Sequence, residues 1–149
     1  MGMGTTEQEY FAGDQNYVAI HSAKEAGEQL MRGVTTVRDT SGNVFGLKKA
    51  IDTGIVPGPR LYPSGALISQ YSGHGDVRPV VATHLPKAWG GPNGPGENDG
   101  NIMLANGHDQ VLAAARHQLH LGATQIKIAT TGGVSSPSDP LYVEEFSEC

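Results

Sequence analysis

Apolar residues recur at three- and four-residue spacing between Tyr17 and Met31, through Ala19, Ala23, Ala26 and Leu30, and Gly33 stands where a left-handed cap would end a helix. The pattern then changes. Val34-Thr35-Thr36-Val37-Arg38-Asp39 is rich in β-branched residues and stops at the turn-formers Thr40-Ser41-Gly42-Asn43, as a strand would. Val44, Leu47, Ala50 and Ile51 mark a short helix ended by Gly54. Pro57-Gly58-Pro59 prevents its continuation and leads into Arg60 to Ile68, which reads as a second strand although Pro63 and Gly65 weaken it. From Ser69 to Gly107 no periodicity is sustained, and turn chemistry such as Ser72-Gly73-His74-Gly75-Asp76 makes 69–107 read as one long loop. Asp109 to Leu121 returns to helical spacing, with Val111, Leu112, Ala115 and Leu119 on one face and Gly122 at the end. A strand around Ile126-Lys127-Ile128 follows, then Gly132-Gly133, a Ser/Pro/Asp loop, and a stretch from Pro140 to Cys149 that reads as the start of another helix.

Alternation of helix and strand predicts parallel βαβ units, hence an α/β fold of about three parallel strands with flanking helices. Residues 1–16 read as a flexible N-terminal segment and 17–149 as one domain. In parallel barrels and open sheets alike, chemistry gathers at the carboxyl ends of the strands. That singles out Arg38 and Asp39, the loop from Ser69 to Asp76, and Lys127 with the loop after it.

Lys127 carries the most information. It alternates with Ile126 and Ile128, so in a strand it faces the opposite side, and in a parallel sheet covered on both faces that side is interior too. A desolvated lysine loses its charge, its pKa falling by up to ~3–5 units. The neutral amine can form a Schiff base, act as a base, or take up carbon dioxide to become a carbamate suited to divalent metals. The plainer alternative is a buried stem with its head reaching water.

Composition narrows the partners. In 149 residues, 38% hydrophobic and 17% charged, ten basic and fifteen acidic residues give a net charge of −5 with the basic residues scattered, which argues against nucleic acid. Cys149 is the single cysteine, so neither an intrachain disulfide nor a Cys-rich zinc site is expected. The first nine residues lack a basic region followed by an apolar one, and no apolar run approaches ~18 residues, so neither an export signal nor a membrane partner is expected and a cytoplasmic location is favoured.

His74, flanked by glycines, reads either as a solvated loop histidine or as a functional one, since glycines permit close approach to a ligand. His117 and His120 lie three apart on a helix but near its carboxyl end, where the dipole already favours a cation, and His21 and His108 read as surface residues. Arg38 could anchor a substrate carboxylate or pair with Asp39. Thr131-Gly132-Gly133-Val134 lacks any accompanying Gly-x-Gly-x-x-Gly or Gly-Lys-Ser/Thr pattern, and neither Ser72 nor Ser135 lies in a Gly-x-Ser-x-Gly elbow. Nucleotide binding and serine hydrolysis are therefore unsupported.

Four segments in order carry a family resemblance: Gly33 to Asp39, Gly58-Pro59-Arg60-Leu61, Ser72 to Asp76, and Ile126-Lys127-Ile128 through Gly132-Gly133-Val134-Ser135-Ser136-Pro137 to Asp139-Pro140. Together they resemble the amidohydrolase superfamily, in its branch of metal-dependent Xaa-Pro dipeptidases and related N-acyl amino acid or imidazolonepropionase-like hydrolases, over roughly Tyr17 to Phe146. The resemblance implies a (β/α)8 TIM barrel holding one or two divalent metals, usually zinc. Lys127 then matches a carboxylated lysine that bridges the metals, and His74 a histidine that contacts the substrate or its polarised carbonyl. The reaction implied is attack of a metal-activated water on a C–N bond in a dipeptide or N-acyl amino acid.

The departures shape the expectation as much as the matches. No His-x-His pair occurs among His21, His74, His84, His108, His117 and His120, and no counterpart follows Lys127 for the family's later histidines and aspartate. A barrel of this kind takes ~250 residues. The chain is thus expected to be an internal piece of an amidohydrolase barrel, contributing the second to fourth strands and inactive alone. The alternative is a non-catalytic α/β domain that oligomerises. Either way the open edges predict a homo-oligomer.

Overall fold

The structure, a computed structural model, describes residues 6, 9–10, 13–79, 81, 85–134 and 139–146. Helix α1 (Gln15–Met31) begins because the Asp14 side chain accepts hydrogen bonds from the amides of Asn16 and Tyr17, two donors no helical carbonyl can reach. Its buried residues are Val18, Ser22 and Ala26: Ala26 is on the row expected from spacing, while Val18 and Ser22 lie one residue before the expected Ala19 and Ala23. Strand β1 (Thr36–Arg38), helix α2 (Phe45–Asp52), strands β2 (Arg60–Tyr62) and β3 (Leu67–Ser69), a 3-10 turn (Lys87–Trp89), helix α3 (Pro95–Asn98), strand β4 (Ile102–Leu104), helix α4 (Gly107–Leu121) and strand β5 (Lys127–Ile128) follow. No described helix is long and apolar enough to cross a membrane. Within the segment 1–16, Tyr10 is buried and Asp14 is the cap of α1. His84, Ser135 and Cys149 lie outside the described residues.

All the strand pairs are parallel: β1 with β2 in one sheet, and β4-β3-β5 in that order in a second. The single strand expected from Arg60 to Ile68 is thus two strands, and the backbone shows why. Arg60 N–H donates to Thr35, Tyr62 C=O accepts from Asp39, and Ser64 N–H donates to Asp39, so even-numbered residues face β1. Beyond that point Gly65 C=O accepts from Gly42, Leu67 N–H donates to Asn101, and Ser69 C=O accepts from Ala105. Odd-numbered residues now face that edge. An extra residue has been inserted at 64–65, a bulge, and Gly65 absorbs it with φ +69°, where a Cβ is unfavourable. The bulge lets β4 take over the edge that β1 leaves. Asn101 makes the joint: its backbone C=O accepts from Leu67 N–H and Ser41 Oγ, and its side-chain oxygen from Asn43 N–H.

The segment 69–107, read from the sequence as loop, therefore contains β4 and α3. β4 is three residues long without the β-branched run that marks β1, and α3 is a single turn, so pattern alone misses both. Pro140 to Phe146 forms no helix; it runs antiparallel beside the loop after β5, with a bridge between Thr131 and Glu144.

The core sits where α4 crosses β3. Ile68, Ala105 and Ala114 are buried together, with Met103, Val111, Ala115, Ile126 and Phe146 packed around them. The inward row of α4 is Val111, Ala114, Ala115 and Gln118, so Leu112 and Leu119 point outward, contrary to the face expected for them. Gln118 is buried because its Oε1 accepts the Ala66 N–H at 2.9 Å, satisfying a donor that the bulge turns away from both neighbouring strands. Of the inner-face residues Val37, Leu67 and Ile128, none is fully buried, and Ile128 is 43% exposed.

Candidate functional site

The carboxyl end of β3 turns directly into the His74 loop. Ser72 adopts φ 61°, unusual for a residue with a side chain, and its N–H donates to Asp76 Oδ2 at 2.8 Å. Asp76 in turn accepts from Arg78 Nε at 2.7 Å and Nη2 at 2.5 Å, with both side chains 3% exposed. Burial pushes the Asp76 carboxyl up, but the hydrogen bonds from Arg78 and the Ser72 amide outweigh it and hold the group below the ordinary aspartate range. The loop is closed at its far side by the buried ion pair of Asp76 and Arg78.

Its near side is held by Glu145, which is 5% exposed. Glu145 Oε2 accepts from Ser69 Oγ at 2.6 Å and Gln70 N at 3.2 Å, and Oε1 from His74 N at 2.6 Å. Ser69 Oγ also accepts the Gly75 N–H at 2.9 Å. Glu145 reaches this position because its own amide donates to Thr130 and Gly132 N–H donates to Val143, laying 143–145 along the loop after β5. A carboxylate so placed replaces water for three donors on one strand end. Nothing in the sequence pattern singles out Glu145, since it lies in the stretch that reads as an incipient helix.

Asp139 makes the second clasp. Its Oδ2 accepts the Gly133 N–H at 3.0 Å and lies 3.4 Å from His74 Nδ1. That distance suits an ion pair but no hydrogen bond is formed, so His74 Nδ1 and Asp139 Oδ1 are both buried without a hydrogen-bond partner. Each such orphan costs ~1–3 kcal/mol. The His74 ring occupies the space beside Gly133, where a Cβ would stand 2.2 Å from its Cε1.

Lys127 pairs with Leu67 in the three-stranded sheet, but β5 is an edge strand and both of its residues are exposed. The interior position expected for this lysine is not realised, because no described element covers that face of β5. Arg38, also exposed, donates from Nε to Gln125 Oε1 at 3.0 Å rather than pairing with Asp39. The ion pair weighed from the sequence is not made with Asp39, the residue after β1. Asp39 is buried instead, its side chain accepting from the Ser41 amide, and burial pushes its carboxyl up. Gln125 Nε2 donates to the carbonyls of Asp39 and Tyr62, tying the start of β5 to the ends of β1 and β2.

Arg38 ends β1 in the two-stranded sheet, His74 lies in the loop after β3 and Lys127 opens β5, and no hydrogen bond or ion pair joins any two of them. Among the described residues, no three His, Cys, Asp or Glu side chains gather to hold a metal. The described residues do not by themselves form the donor set that a divalent ion requires. His117 and His120 are exposed on α4.

No family model matches the chain. It is 34% identical to an ochratoxinase of Aspergillus niger over 154 residues, covering 93% of this chain and 32% of that enzyme. The crystal structure of that ochratoxinase superposes with a TM-score of 0.76 at 31% identity, over 96% of this chain and 34% of the other. A prolidase complexed with N-methylphosphonate-L-proline aligns at 37% identity and TM-score 0.76, over 90% of this chain and 32% of the prolidase. A Xaa-Pro dipeptidase with methionine bound in its active site aligns at 29% identity and TM-score 0.69, again over 90% and 32%. The chain spans about a third of the length of the relatives it matches. Its order of parallel strands and flanking helices, and its similarity to these enzymes along nearly all of its length, make it a segment of the amidohydrolase superfamily.

Proposed function

We propose that this chain supplies the second, third and fourth strand positions of an amidohydrolase barrel whose complete form hydrolyses a C–N bond in a dipeptide or N-acyl amino acid. The observation that carries this reading is Lys127 in a parallel strand beside β3, the strand that leads into the His74 loop, in a chain so similar to a prolidase and an ochratoxinase. Metal dependence, on zinc or another divalent ion, belongs to the complete barrel. There the described residues would give Lys127, as its carbamate, to the metal, and His74 and Arg38 to the substrate. Alone, the chain would contribute binding and orienting groups without the remaining ligands and would hydrolyse nothing.

The test is a chimera in which this chain replaces the matching third of the prolidase. Turnover of Xaa-Pro dipeptides that disappears in Lys127→Ala supports the reading. A folded, metal-loaded chimera indifferent to Lys127 overturns it. The second reading, a non-catalytic unit that oligomerises, is favoured by apolar side chains left in water beyond β5, with Val134 93% and Tyr142 85% exposed.

A further inference from the structure

His74 is gripped twice by the segment that follows β5. Its backbone N–H donates to Glu145 Oε1 at 2.6 Å, and its ring lies against Gly133 with Nδ1 3.4 Å from Asp139 Oδ2. The two ring nitrogens have opposite surroundings. Nδ1 is buried, and Oδ2 of the Asp139 carboxylate, a residue 6% exposed and with Oδ1 unpartnered, lies 3.4 Å from it. Nε2 makes no hydrogen bond and is not among the buried unpartnered atoms, so the exposed third of the side chain includes it.

We infer that Asp139 is the positioning residue for His74: it holds the ring as the Nδ1–H tautomer and so presents Nε2 at the strand-end face as the group that meets a substrate. A neutral imidazole has one donor and one acceptor nitrogen, and a carboxylate beside one of them fixes which is which. With the proton at Nδ1, the neutral ring accepts a hydrogen bond at Nε2 and gives one to a substrate oxygen only when cationic. A substrate N–H or O–H is therefore the partner for the neutral ring. Gly133 is required because any side chain there occupies the place of the ring. The substrate role rests on the proposed function; the tautomer does not.

The experiment is a two-bond 1H–15N correlation spectrum of the imidazoles in the 15N-labelled chain at about pH 8, above the ordinary histidine range near ~6.5. His74→Asn identifies the signals. The expected pattern is a protonated Nδ1 for His74. Asp139→Ala should turn it toward the Nε2–H form, which an imidazole without such a partner favours, and Asp139→Asn, which keeps an oxygen acceptor, should largely restore it. Gly133→Ala, leaving the carboxylate intact but displacing the ring, should repeat the loss. An Nε2–H ring in the unaltered chain overturns the inference, as does an Nδ1–H ring that persists in both Asp139→Ala and Gly133→Ala. If Asp139→Ala fails to fold, Gly133→Ala and the unaltered chain still decide. An Nδ1–H ring together with an inactive chimera would leave this inference standing and remove the substrate role.

Discussion

Replacing Gly65 by alanine attacks the bulge that turns two short strands into one continuous edge. Two penalties follow from the geometry. The residue sits at φ +69°, where a Cβ costs ~1–2 kcal/mol. The added carbon would also stand 2.1 Å from Gln118 Oε1 and 2.9 Å from Phe45 Cζ. The glutamine must swing away, giving up the Ala66 N–H that it accepts at 2.9 Å, and a buried donor left unpaired costs a further ~1–3 kcal/mol. The sum is roughly 2–5 kcal/mol, or a fall in Tm of about 5–15 °C for a chain of this size. Urea unfolding followed by circular dichroism reads it directly. Gln118→Ala provides the control, because it orphans the same amide without backbone strain. In the double variant the clash is gone and the amide is already unpaired, so the combined loss should be smaller than the sum by about 1 kcal/mol or more. A Gly65→Ala chain within ~0.5 kcal/mol of the original would refute the bulge as the source of the strand break.

Glu145→Ala should cost about 2–4 kcal/mol and speed hydrogen exchange at the amides of Gln70 and His74, which lose their acceptor; unchanged protection there would mean that Glu145 does not hold the loop. Asp76 has a folded pKa below its unfolded one, so its contribution is present above the ordinary aspartate value of ~3.9 and is lost as pH falls through the lower folded value. Asp76→Asn should accordingly flatten the stability of the chain from about pH 4 downward, and an unaltered acid profile would count against the Arg78 pair as the cause. The isolated chain, given zinc and bicarbonate, is expected to hydrolyse Xaa-Pro dipeptides and N-acyl amino acids no faster than buffer; zinc-dependent turnover lost in Lys127→Ala would contradict this. Light scattering after size exclusion should find a homodimer or larger assembly burying more than ~1,000 Å², and a cooperative monomer at micromolar concentration would oppose it.

Periodicity and turn chemistry were enough to recognise α1, α2 and α4, the strands at β1 and β5, their parallel arrangement, and the order of segments that marks an amidohydrolase. These are local properties: a helix needs its own hydrogen bonds and caps, and a β-branched run bounded by glycine needs little else. The strand ends bearing Arg38, His74 and Lys127 were legible for the same reason. What each of these residues touches was not. Arg38 meets Gln125, 87 positions away, and His74 meets Glu145, 71 positions away, pairings that no short window contains. The bulge at Gly65, the burial of Gln118 beneath it, and β4 inside an apparently structureless stretch likewise arise only when separate strands compete for one edge of hydrogen-bonding groups. Burial is equally a tertiary property. Lys127 alternates with isoleucines as an interior residue would, yet it is exposed because no described element covers that face of β5, and a strand's face is interior only when another element covers it.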